Sequence, residues 1–297
     1  MLPDHPDGDD PAVATRITEA GIRAWHEYLP ARVHYEPAQP HIHDAFRLYR
    51  SLRFGDLLQL VVTDHRLYRD GPPPRALSAF GVTLGVRGDD DSDRSMLGAE
   101  QLAWFERRTR AADTRWLGWA SAVLSIPFRI GVGPLAVYPK AGSTWDGFGA
   151  ERRRVFELLG DSDQAVVTLS GDLHSYVVGA QRLDGTSGEA VGTEFMTPAV
   201  TSVNIAEALG IDSGVLGRLT RPLVRRAVPA MNPQMEFFDP HEWGYSVVEF
   251  TRESCTYTAY AVDKTVDSAE ADRTVVSRYR RRHDRPVPTP LRAAARR

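Results

Sequence analysis

The chain has 297 residues, 42% hydrophobic and 25% charged: the composition of an ordinary globular protein, with length for one large domain or two modest ones. Its 36 basic and 39 acidic residues leave a formal charge of -3, which excludes any general long-range attraction to nucleic acid or to a membrane surface. The single cysteine, Cys255, excludes an internal disulfide, and no apolar run is long enough for a transmembrane helix.

The first ten residues are acidic and lack the apolar centre of a signal peptide, so as written the chain is expected to stay where it is made. Ala12 to Leu29 reads as an amphipathic helix, with Ile17, Ala20, Ala24, Trp25 and Tyr28 at helical spacing and Pro30 as the stop. His34, His41 and His43 follow in a stretch broken by Pro37 and Pro40, which points to an irregular surface segment rather than a metal site. Phe46 to Leu52 and Leu57 to Thr63 read as strands joined by a turn at Phe54-Gly55-Asp56. Asp64 and Arg66 come next and would share a face. They form either an ion pair that orders the following loop or an arginine fork offered to a phosphate. Gly71 to Asp93 reads as a loop, with Asp89-Asp90-Asp91 simply solvated. Helices are expected over Ala99 to Ala112 and Ala150 to Leu159. Trp116 to Ile126 is a buried apolar segment, strand or short helix, and Ser143 to Phe148 a turn.

The most informative stretch is Val166-Val167-Thr168-Leu169-Ser170-Gly171-Asp172-Leu173-His174-Ser175. It opens as a β-branched apolar run, the pattern of a strand buried on both faces, and bends at Ser170-Gly171. If the backbone stays extended beyond the bend, Asp172 and His174 point the same way. Such a pair at the carboxyl end of a strand in an open α/β sheet suits a divalent or trivalent cation. It also suits a turn-capping Asp beside a hydrogen-bonded His. Strands are then expected over Tyr176 to Leu183 and Thr193 to Pro198, helix and loop over Ser202 to Val228, and a hairpin from Gly244 to Phe250 and Cys255 to Val262. Cys255 reads as a small buried residue. The arginine-rich end, Arg278 to Arg297, reads as a disordered tail without the interleaved aromatics that nucleic-acid recognition needs.

Taken in order, several segments resemble the alkaline phosphatase D (PhoD-like) metallophosphatases. They are Leu58 to Asp70, Met96 to Phe105, Trp145-Asp146-Gly147-Phe148 with Glu151-Arg152-Arg153, Ser170 to Ser175, Gly192 to Ser202, Asn232-Pro233 and Trp243-Gly244-Tyr245. The resemblance covers roughly residues 15 to 262 and implies a four-layer α/β/β/α sandwich of the calcineurin-like type, here lacking its leading strands. On it the chain divides into an acidic segment 1–11, a partial phosphatase domain 12–265 and a basic tail 266–297. It further implies a hydrolase acting on phosphomonoesters or phosphodiesters, with two metal ions, iron and calcium. Many members of the family are exported.

Carried over residue by residue, the resemblance makes Asp172 and His174 metal ligands and Arg66 a substrate-binding group. The family's two earliest Asp-containing ligand motifs have no counterpart here. Asp4-His5 stands as a degenerate trace of the third, giving Asp4 as a further ligand and His5 as a catalytic group. Two readings follow: a metal-dependent phosphoesterase, or a non-catalytic remnant that binds a phosphate ligand or a complementary chain. No membrane or nucleic-acid partner is expected, and the letters settle neither oligomeric state nor localisation.

Overall fold

The computed structural model describes residues 10–39, 41–71, 77–79, 82–84, 94–131, 136–139, 143–268 and 271–291. Helix α1, Pro11–Tyr28, starts where Asp10 accepts a hydrogen bond from the Ala12 amide at 2.9 Å, with proline at the first helical position. It stops one residue before the expected boundary. Phe46 to Leu52 divides in two. Phe46–Arg47 (β2) follows the short helix α2, Ile42–Ala45, and pairs with His34–Tyr35 (β1). Arg50–Phe54 (β3) forms a hairpin with Leu58–Val62 (β4), turning through Gly55 at a φ of 58° that favours glycine. The expected loop 71–93 instead contains a two-stranded hairpin, Leu77–Ala79 (β5) with Val82–Leu84 (β6). Asp89 to Asp91 lie outside the described residues.

Next come Gly98–Arg110 (α3), Trp116–Ala120 (β7), Gly149–Gly160 (α4), Ala165–Ser170 (β8), Tyr176–Arg182 (β9) and Ala190–Met196 (β10). The open question over Trp116 to Ile126 resolves as strand β7 followed by loop. After the short helix Ile205–Ala208 (α5) and the long helix Gly214–Met231 (α6), Met235–Asp239 (β11) completes a seven-stranded sheet of order β11-β9-β10-β8-β7-β4-β3. Its centre, β4-β7-β8-β10, is parallel throughout.

Strand alternation sorts the core into layers. Val61, Leu117, Trp119 and Val166 face Leu102 and Phe105 of α3 and Val155, Phe156 and Leu159 of α4. On the same side, Val224, Val228 and Met231 of α6 pack toward Val177, Met196 and Phe238. On the opposite side, Trp116, Val167, Val178 and Phe195 meet Cys255, Tyr257 and Ala259. The latter belong to a second sheet of Trp243–Phe250 (β12), Ser254–Val262 (β13), Arg273–Arg282 (β14) and Thr289–Pro290 (β15). Phe195 stacks on Tyr257 at 4.8 Å, closing the seam between the sheets. The described residues therefore form three layers, helices on sheet on sheet, and Val247 and Val275 lie exposed on the second sheet.

Residues 271–291 correct the expectation of a disordered tail. Charge alone made that stretch look unable to fold, yet β14 alternates. Val276 and Tyr279 face the core while Arg280 and Arg282 face outward. Arg281, nearly buried, lays its guanidinium over Trp116 and donates to the Arg282 and His283 carbonyls. Residues 292–297 lie outside the described ones.

Candidate active site

Four parallel strands end on the same side of the sheet. The loops that leave β4, β7, β8 and β10 therefore gather at one rim, where open α/β sheets place their ligands. The β4 loop is fixed first. Gln101 of α3 accepts from the Asp64 amide at 2.7 Å and donates back to the Asp64 carbonyl at 2.8 Å. Asp64 Oδ1 then accepts from the amides of Arg66 and Leu67 at 2.7 and 3.1 Å, an Asx turn. Asp64 thus orders the loop through the backbone of Arg66 rather than through its side chain. Its other oxygen, Oδ2, is buried without a hydrogen-bond partner among the described residues.

With Asp64 so occupied, the Arg66 guanidinium crosses the rim. Its Nη2 donates to Asp172 Oδ1 at 2.8 Å. Arg69 stands in the same field. Burial disfavours its charge, the neighbouring Arg66 disfavours it further, and Asp172 offsets part of this. Its Nη1 reaches the Ser143 carbonyl in a long hydrogen bond of 3.4 Å. Beneath the loop, His65 is fully enclosed among Trp119 and Trp145. Its Nδ1 accepts from the Ala122 amide at 3.2 Å. Burial first, then the charges of Arg66 and Arg69, pushes this imidazole down to about 3, so it stays neutral.

The β8 loop departs from the extended course that the sequence reading assumed. Asp172 and His174 take φ values of 73° and 52°, left-handed positions that Asp and His tolerate better than most residues. Strand alternation therefore does not set where their side chains point; the partners do. Asp172 is held by Arg66. His174 Nδ1 donates to the Val203 carbonyl on the loop after β10, which leaves Nε2 as the ring nitrogen without that partner. A backbone carbonyl fixing one ring nitrogen while the other stays open is the usual second partner of a metal-bound histidine.

Sequence reasoning passed over Glu194. This fully buried carboxylate in β10 accepts from Ser170 Oγ at 2.5 Å, Ser125 Oγ at 2.7 Å and the amides of Ser125 and Ile126 at 2.9 Å each. Burial pushes its pKa up, and these donors pull the other way. It ties the β7 loop to Ser170, the last residue of β8. The signal was a lone acidic residue inside an apolar strand, Thr193-Glu194-Phe195-Met196. Arg69 was passed over too, although it repeats Arg66 three residues on.

Asp172 and His174 fit two places in a metal's donor set, one hard oxygen and one imidazole with an open nitrogen. Among the described residues no group of three or more His, Cys, Asp or Glu side chains could hold a metal ion. Asp4 and His5 lie outside the described residues. Of the early histidines, His34 Nε2 meets the Asp44 carbonyl and His43 Nε2 the Leu67 carbonyl, the latter ring stacked on Tyr68. They bond to backbone and support the loops.

Comparison with known proteins adds what the geometry cannot. The family model of the PhoD-like phosphatases matches residues 4–259. Alkaline phosphatase D of Bacillus subtilis (strain 168) is 25% identical over 250 residues, covering 79% of this chain and 39% of that protein. A solved structure described as "Structure of PhoD" shares the fold with a TM-score of 0.75 at 21% identity, covering 93% of this chain and 49% of the other. The chain thus spans less than half the length of either relative. A family match that runs from before α1 into β13 takes in every loop of the rim, and the chain belongs to the PhoD-like phosphatase family.

Proposed function

We propose that this chain is a metal-dependent phosphoric ester hydrolase of the alkaline phosphatase D type, acting on phosphodiesters or phosphomonoesters. The observation that carries the reading is the Arg66–Asp172 pair at the carboxyl ends of parallel strands, with His174 on the same β8 loop as Asp172. In the proposal Asp172 and His174 Nε2 are metal ligands, with iron and calcium the ions that the family resemblance implies. Such ions, when bound, acidify water and neutralise phosphoryl oxygens. Asp4 is proposed as a further ligand and His5 as a catalytic acid or base. Arg66 positions Asp172 at rest and offers its remaining donors to a phosphate, whose oxygens match the guanidinium fork. His65, neutral and enclosed, holds the base of the loop without taking a proton. A helical layer covering the second sheet would complete the four-layer sandwich.

A second reading is a non-catalytic member that binds a phosphate ligand or a complementary chain. It is favoured by one observation: among the described residues no three His, Cys, Asp or Glu side chains group to hold a metal ion, and a metal site of this kind takes four or more donors. One experiment separates the two. Metal content is measured on purified protein beside hydrolysis of bis-p-nitrophenyl phosphate and p-nitrophenyl phosphate. Bound metal with turnover that disappears in Asp172→Asn supports the enzyme. Turnover untouched by that change, or no metal and no turnover, ends the catalytic reading.

A further inference from the structure

Helix α6 carries two apolar stripes where one suffices. Val224, Val228 and Met231 turn inward onto the helix-side core, as a surface helix requires. On the other side Val215, Leu216, Leu219 and Leu223 are 68, 52, 67 and 65% exposed. At about 100° per residue these four fall within an arc of about 100°, so they form a continuous ridge rather than scattered apolar residues. The residue capping the preceding helix, Leu209, is 66% exposed as well. The helix contains no acidic residue and four arginines. Two of these, Arg221 and Arg225, are committed to the buried Asp239. The other two, Arg218 and Arg226, are exposed and have no acidic partner among the described residues.

Leucines in a row with unpaired arginines beside and between them identify the chemistry of the occupant. A second copy docked through the same helix would bring the same arginines and no carboxylate from α6, leaving guanidinium groups to be stripped of water unpaired. An anionic bilayer offers hydrocarbon for the leucines and phosphates for the arginines at one level. We infer that α6 seats this protein on an anionic lipid surface, its outer ridge sunk into the headgroup boundary. This is a local property that the overall charge of -3 conceals. The rim is close in the chain: Val203, whose carbonyl holds His174, directly precedes Asn204, the N-cap of α5.

The test is sedimentation of the full chain with phosphatidylcholine vesicles and with equimolar phosphatidylcholine/phosphatidylglycerol vesicles. It reads binding, so it stands whether or not the chain hydrolyses anything. Retention on the anionic vesicles is expected, falling with salt. Arg218→Gln with Arg226→Gln should weaken it roughly 25-fold, about fivefold per arginine. Leu219→Ser with Leu223→Ser should abolish it while leaving the circular-dichroism melt in place, since both side chains are exposed. No retention on anionic vesicles overturns the inference, as does retention that either double variant leaves unchanged. A concentration-dependent dimer removed by the leucine changes, seen by light scattering without vesicle binding, assigns the ridge to a second copy instead.

Discussion

Arg66 and Asp172, 106 residues apart, meet at 2.8 Å between Nη2 and Oδ1, joining the loop of β4 to the loop of β8 over the end of β7. Both are partly exposed, the side chains at 53 and 25%, so the pair contributes at most about 1 kcal/mol to stability. Its value lies in aiming a carboxylate. Arg66→Lys keeps the charge and loses the fork. On the proposed function, the expected outcome is a loss of phosphate-ester turnover of about 10- to 100-fold with a melting temperature within a few degrees of the parent. A large drop in melting temperature with unchanged turnover per folded molecule would reverse that assignment.

His65 predicts a pH dependence. Its folded pKa, about 3, lies below the ordinary value of 6.5, so the unfolded chain binds the proton more readily. The stabilisation is complete above pH 6.5 and is lost as pH falls toward 3. Between pH 7 and pH 5 the loss is about 2 kcal/mol. Glu151 and Glu194, whose pKa values burial raises, act in the opposite sense. Comparison with His65→Gln isolates the one group. Urea unfolding at the two pH values should show the parent losing about 2 kcal/mol more than the variant.

Gly179 in β9 is required by space alone. A Cβ built there would stand 2.5 Å from Ile126 Cδ1 and 2.8 Å from the Gln234 carbonyl oxygen. The backbone partner cannot retreat without parting β9 from β11. Gly179→Ala should cost about 1 to 3 kcal/mol. Gly171, with nothing within 4 Å of the same position, is the control: its alanine variant should be nearly neutral on urea unfolding.

Cys255 is enclosed in the seam between the two sheets, and burial pushes its thiol up to about 12, against a smaller pull from Arg281. A thiol reagent at pH 8 should leave it untouched in the folded protein and label it fully in urea. Rapid labelling under native conditions would mean that the sheets part readily.

How far the letters carried can be read from particular residues. Val166 to Ser170 was legible because burial on both faces writes an unbroken apolar run, and β8 spans Ala165–Ser170. The hairpin of β12 and β13 was legible from its alternation. What followed β8 was not, because a left-handed turn leaves no periodic trace, so Asp172 and His174 seemed to continue a strand. Charge hid β14 for a different reason. A run such as Arg280-Arg281-Arg282 reads as solvated, although Arg281 in its middle covers a tryptophan. The link between Arg66 and Asp172 was invisible because it rests on the strand order of the sheet, which composition and spacing do not encode. Glu194 fell between these cases, present as an oddity in β10 whose partners arrive from two distant loops.

That strand order has a kinetic corollary. Parallel neighbours cannot zip up from a tight turn, so β4, β7 and β8 must each find the next across a long intervening segment before the rim exists. A collapsed intermediate with helices and hairpins already formed would still hold Arg66 and Asp172 apart. During refolding, recovery of the rim should therefore trail the return of secondary structure, and the interval between the two is the time the chain needs to close the central ladder.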